Sequence, residues 1–289
     1  IGTDIPYAGG YKFEATPNKS VVRSVERQTF NTTAFDISVY PTKGQDIDKC
    51  VPFMTSSVDM NDDYLLRAYK SIYRFNTPDP GKFSIIYGSG SYSENRSVDI
   101  FLVEFGDDIK VQYGHKYSND ASTTVSIEEV NLDRAFLHFY AYSDTWQKYL
   151  QSTAICGHFN SSTELEFIRS SNSGTMYITW YVIECPDDDN YWRVQHLYNT
   201  NLGSSTNIYA VLNYFVNTDR TMFLASWTNT STSDYPQRNF FRMYHRQDDL
   251  INFNRYDGSY NMDNLNVEVV EILDSYKMRG FRVISDFMD

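Results

Sequence analysis

Cysteine is scarce: three residues, Cys50, Cys156 and Cys185, leave at least one thiol unpaired and exclude the disulfide framework of a small secreted domain. Buried free thiols are expected, with Cys156–Cys185 the alternative that one repeat unit would allow. No stretch approaches the roughly 20 consecutive apolar residues of a membrane helix, so no membrane span is expected. Basic residues are outnumbered, 25 against 37 acidic, for a formal net charge of −12. That field repels a phosphate backbone and argues against a nucleic-acid partner. The five histidines, His115, His138, His158, His196 and His245, show no metal-ligand spacing. There is no G-x-S-x-G elbow and no phosphate-binding glycine loop; Gly88-Ser-Gly90 reads as a hairpin turn. Catalysis is therefore not expected, nor any cofactor unless calcium. The first residue is Ile1 rather than Met, which is compatible with a removed leader.

What is abundant is aromatic. Tyrosine, phenylalanine and tryptophan make up 16% of the 289 residues. Such side chains suit the pleated, half-buried surface of a strand. Ser, Thr and Asn fill much of the rest, and helix formers are few. The sequons at Asn18, Asn31, Asn95, Asn160 and Asn229 are about as many as this composition produces by chance. The expected class is all-β.

The strands repeat. Val98-Asp-Ile-Phe-Leu-Val-Glu104, Ile178-Thr-Trp-Tyr-Val-Ile-Glu184 and Leu265-Asn-Val-Glu-Val-Val-Glu271 align without gaps, about one domain length apart. Asp48-Lys49, Asp133-Arg134 and Asp219-Arg220 recur with the same period, each opening an apolar strand. Between these lie Phe83-Ser-Ile-Ile-Tyr87, Leu165-Glu-Phe-Ile-Arg169 and Ile251-Asn-Phe-Asn-Arg255. Ser24-Val-Glu-Arg, Lys110-Val-Gln-Tyr and Arg193-Val-Gln-His open the copies. These registers predict an N-terminal arm (1–20), three tandem antiparallel β-sandwich modules (21–106, 107–188, 189–273) and a C-terminal tail or docking strand (274–289). One face of each sheet should pack inward and the other meet solvent or a partner. Helix is expected only as a turn or two at Asn61–Lys70 and Ser143–Leu150.

Period-2 geometry turns Glu104 toward the core side of its strand, where a carboxylate needs a partner. The bases that recur with it predict the ion pairs Glu104–Lys49, Glu184–Arg134 and Glu271–Arg220. The alternative is local pairing of Asp48, Asp133 and Asp219 with those bases, each glutamate leaving into solvent. Acids cluster after the glutamates, at Asp107, Asp108, Asp187, Asp188, Asp189 and Asp274. They read either as calcium ligands at module junctions or as solvated turns. Trp146, Trp192 and Trp227 with Tyr92 and Tyr260 are candidates for stacking on sugar rings, though most aromatics in a β protein are core. The arm, with Tyr7, Tyr11 and Phe13, and the tail, with Phe281, Val283 and Ile284, are candidates to order on a neighbour's sheet edge.

The Asp-Lys/Arg opening, the L-x-F-x-R strand, the glycine turn and the strand ending V-I-E or V-V-E resemble a repeat of many phage virion proteins and some bacterial surface proteins. Leu132-Asp-Arg-Ala-Phe-Leu and Thr179-Trp-Tyr-Val-Ile-Glu184 carry the resemblance best, while Pro52 and the loop Asn76–Gly81 depart from it. The resemblance implies a capsid decoration, tail or fibre component at the virion surface or outside the cell. Its partners would be copies of itself or other virion or appendage subunits. The competing class is a secreted adhesin binding a host surface glycan.

Overall fold

A computed structural model describes residues 21–32, 36–42, 44–58, 72–74, 82–86, 96–143, 150–186, 191–205, 207–230, 241–247, 249–255 and 262–273. Within them the chain is all-β. The N-terminal arm, the tail and the stretch Asn61–Lys70 lie outside the described residues. The second expected helical stretch gives one turn, α1 (Leu150–Thr153), displaced from Ser143, which ends a strand. No helix among the described residues is long and apolar enough to cross a membrane.

The first predicted module holds β1 (Val22–Thr32), β2 (Asp36–Val39), β3 (Cys50–Val58), β4 (Ile72–Arg74), β5 (Phe83–Ile86) and β6 (Arg96–Phe105). The second holds β7 (Lys110–Ser118), β8 (Ser122–Ser126), β9 (Ala135–Ser143), β10 (Ile155–Ser161), β11 (Glu164–Arg169) and β12 (Met176–Glu184). The third holds β13 (Trp192–Gly203), β14 (Asn207–Val211), β15 (Thr221–Trp227), β16 (Phe241–Gln247), β17 (Leu250–Arg255) and β18 (Met262–Ile272). They form six three-stranded antiparallel sheets: β1-β6-β3 and β2-β5-β4, β7-β12-β9 and β10-β11-β8, β13-β18-β15 and β14-β17-β16. Each segment thus has its last strand between its first and third, and its fifth between its second and fourth. Registers agree as well. Glu104, Glu184 and Glu271 each face the residue after the recurrent base: Cys50, Ala135 and Thr221. Phe83, Leu165 and Ile251 face Val39, Val125 and Ala210.

Three hydrophobic clusters each draw on both sheets of one segment. In the second, Ala135 and Ile178 from one sheet meet Leu165 and Phe167 from the other. The outer sheets show the alternation expected of strands with one wet face, as in Leu165 and Phe167 between Glu164, Glu166 and Ile168. The inner sheets do not. Along β12 and β18 buried residues run almost without interruption, because a fourth cluster covers their second face. That cluster gathers equivalent residues of all three segments: Val51, Phe136 and Met222 from the third strands, and Val103, Ile183 and Val270 from the last. All six are buried, each side chain contributing on the order of 1.5–3 kcal/mol. The predicted partner of these sheet faces is therefore the rest of the same chain.

Candidate functional site

The recurrent glutamate closes a joint. Glu104 Oε1 accepts the Asp46 N–H at 3.0 Å, Glu184 Oε1 the Asn131 N–H at 2.6 Å and Glu271 Oε1 the Asn217 N–H at 2.9 Å. Each donor lies three residues before the recurrent base, in the turn that leads into the third strand. The side chains of those same residues cap the turn. Asp46, Asn131 and Asn217 accept the N–H of Asp48, Asp133 and Asp219, each at 3.0 Å. Asp and Asn suit this position because a short side chain can bond its own backbone two residues on. The motif is therefore [D/N]-x-D-[K/R] joined to a distant Glu.

The geometry bears out one of the predicted ion pairs, Glu271–Arg220 at 3.9 Å, and corrects another, giving Glu104 a partner other than Lys49. Lys49 Nζ donates to the carbonyl oxygens of Ile109 at 2.5 Å and Asp107 at 3.3 Å. Arg134 donates to Pro186 O at 3.2 Å and Arg220 to Leu273 O at 3.3 Å. The bases thus clamp the backbone leaving the last strand, just past the glutamate. Glu104 takes Arg23 (3.4 Å) and the Ser24 hydroxyl (2.8 Å) instead of Lys49. Glu271 takes Arg193 at 2.7 Å, with Arg220 more distant at 3.9 Å. Lys110, opposite Glu184 in register, reaches Glu128 Oε2 at 3.2 Å. In the first segment Ser24 stands where Lys110 and Arg193 stand, and a bulge between Val22 and Ser24 makes room for Arg23 beside Glu104.

A second joint repeats two residues further along each first strand. Gln112 accepts the Glu128 N–H and donates to Glu128 O. Gln195 accepts the Asn213 and Tyr214 N–H groups and donates to Tyr214 O. Glu26 accepts the Thr42 N–H but has no donor, and Gln28 supplies one to Tyr40 O. A further structural residue is Arg169. It is 1% exposed, and its guanidinium donates to the carbonyls of Asp120, Ser173 and Gly174 and to the Ser143 hydroxyl.

Neighbouring segments meet edge to face. At the first junction the Tyr140 hydroxyl accepts the Met54 N–H at 2.9 Å and donates to Pro52 O at 3.1 Å. Pro52 is tolerated because β3 is an edge strand. His138 Nε2 lies 3.0 Å from the same carbonyl, its ring stacked on Phe53. Burial pushes its pKa down to about 4, against a smaller opposing effect of that hydrogen bond. At the second junction Ser226 bonds both backbone groups of Gly157. The N–H of Val194 donates to Asp133 O, and the Trp192 indole N–H to Arg134 O, both at 2.8 Å. His158 stacks on Tyr198 at 3.9 Å. His196 Nδ1 lies 2.6 Å from Glu268 Oε2 and Nε2 lies 2.8 Å from Leu132 O. Burial opposes charging of His196, but Glu268 and the Leu132 carbonyl outweigh it and raise its pKa.

Of the calcium candidates, Asp107 lies 2.5 Å from Arg23 and Asp108 is exposed, while Asp187, Asp188 and Asp189 lie outside the described residues. Among the described residues no group of three or more His, Cys, Asp or Glu is arranged to hold a metal ion. Of the glycan candidates, Trp192 is 2% exposed, wedged between Phe105 and Phe136, and so offers no platform. Trp227 packs against the third segment's core; Trp146, Tyr92 and Tyr260 lie outside the described residues. All three cysteines are buried thiols, none of them in a disulfide. No family model matches the chain, and no curated protein matches it.

Proposed function

We propose that the chain is three copies of one six-stranded antiparallel β-sandwich in tandem, and that it serves as a non-enzymatic structural component of a virion or extracellular appendage. The observation that carries this reading is the joint between the terminal glutamate and the Asx turn, present at the same place in all three segments. The recurring residues join strands, turns and neighbouring segments, which is what a load-transmitting scaffold requires. The strand order is that of a jelly roll without its two middle strands, an architecture shared by viral capsid proteins and lectins. The resemblance of the repeat to virion proteins favours the first of those two, and the burial of Trp192 removes one of the sugar platforms the second would use.

Assembly with further copies is assigned to segments 1–20 and 274–289, whose aromatic and apolar residues suit addition to a sheet edge. Light scattering of the purified full chain over a range of concentration, alongside a glycan array, tests the reading. Self-association that is lost on deleting either segment, with no glycan retained, is the expected result. A stable monomer that binds a glycan overturns it.

A further inference from the structure

The two junctions are built around histidines in opposite surroundings, His138 in an aromatic layer and His196 against a carboxylate. His196 lies between two groups that can only accept, the Glu268 carboxylate (Nδ1 to Oε2 2.6 Å) and the Leu132 carbonyl (Nε2 to O 2.8 Å). The Nδ1–Oε2 approach is a close charge contact outside hydrogen-bond angles, and a neutral ring would turn a lone pair on one of these oxygens, so the surroundings favour the doubly protonated ring. Glu268 is 2% exposed and its other oxygen accepts from Asn266 at 2.8 Å, so this carboxylate depends on the imidazolium for its counter-charge. Leu132 O belongs to the second segment, and His196 and Glu268 to the third. The bridge therefore spans the junction.

His138 is the opposite case. Its Nε2–H donates to Pro52 O at 3.0 Å, across the first junction. The rest of its surroundings are aromatic: Phe53 stacked at 4.4 Å, Tyr140 edge-on at 4.8 Å and Tyr181 at 6.3 Å. No carboxylate is recorded against it among the described residues. Charging it would place a cation in an apolar layer. Around His196 the charged and titratable groups are Glu268 on β18 and Asp133 in the turn before β9, with Phe159 edge-on from β10. On the neighbouring strands His158 sees Glu166 and Glu268 and, by burial, resists protonation.

We infer that the junctions respond to pH in opposite directions: acid loosens the first by charging His138, and alkali loosens the second by discharging His196.

Amide hydrogen exchange by NMR on the full chain, corrected for the intrinsic pH dependence of exchange, tests this. Met54 N–H reports the first junction; Val194 N–H and Gly157 N–H report the second. Between pH 7.5 and 5, protection at Met54 should fall by roughly tenfold or more, while Val194 holds; Gly157, beside the buried His158, is read only on the alkaline side. Toward pH 9 the order should reverse. His138→Phe should remove the acid response and His196→Gln the alkaline one. In case a variant fails to fold, ring-carbon titration of the wild-type histidines gives a second readout, with His196 titrating above and His138 below the ordinary value. Both junctions moving together, or both rings titrating normally, overturns the inference.

Discussion

The Ser226 hydroxyl accepts the Gly157 N–H at 3.1 Å and donates to the Gly157 carbonyl at 3.2 Å, so one side chain of the third segment completes the edge-strand bonding of the second. Tyr140 does the same for Met54 and Pro52 one repeat earlier. Ser226→Ala leaves a donor and an acceptor of β10 without this partner and should cost about 2 kcal/mol. Urea midpoints of wild type and variant measure it; Ser226→Thr should retain most of the stability.

Gly157 also tolerates no side chain. A Cβ there would lie 2.7 Å from the Phe139 ring and 2.8 Å from Phe167, two rings packed edge to face against the core. Gly157→Ala should destabilise by about 2 kcal/mol or more through overpacking. Thermal unfolding reads the loss, and a neutral result would mean that the two rings repack.

The glutamate joint should show a graded response. Glu271→Gln keeps an acceptor for Asn217 N–H and loses the charge pair with Arg193, at a cost of about 1 kcal/mol. Glu271→Ala loses both and should cost about 3 kcal/mol. Equal losses for the two variants would show that the charge, not the turn, is what the residue serves.

Arg169→Lys should cost about 3 kcal/mol despite keeping the charge. A single ammonium cannot reach the carbonyls of Asp120, Ser173 and Gly174 together, and those it misses stay buried. Chemical denaturation of the variant checks this.

Acid should destabilise the fold through His138. Its folded pKa of about 4 lies below the unfolded value near 6.5, so its contribution is complete above pH 6.5. It is lost as pH falls from 6.5 toward 4 and changes little below that, by up to about 3 kcal/mol. His138→Phe should flatten that part of the stability–pH curve, measured by denaturant midpoints at each pH.

The repeat was legible because strand alternation and the terminal Glu both survive in the amino-acid order. The glutamate's partners were not, for two reasons. Lys49, Arg134 and Arg220 each donate to a backbone carbonyl past the glutamate, which no residue letter records, and of these Arg220 also reaches Glu271. The residue that serves Glu104, Arg23, is brought into place by a bulge that breaks the period-2 count. The Asx position was missed although Asp46, Asn131 and Asn217 stand at one fixed offset from those bases, a signal that a search upstream of the bases would have found. Trp192 read as a sugar platform because the inner sheets' second faces were assigned to solvent or an unspecified partner. The shared cluster, which brings it against Phe105 and Phe136, arises only when three segments fold back on one another.

That shared cluster has a consequence for anyone cutting the chain. A product ending after Pro186 would lack Val194, Met222 and Val270 and would lay bare Ile183 and Phe136, which the full chain keeps dry. Each piece would carry a sticky wall. Expression of single segments should give insoluble protein unless those valines, isoleucines and aromatics are first replaced by polar residues.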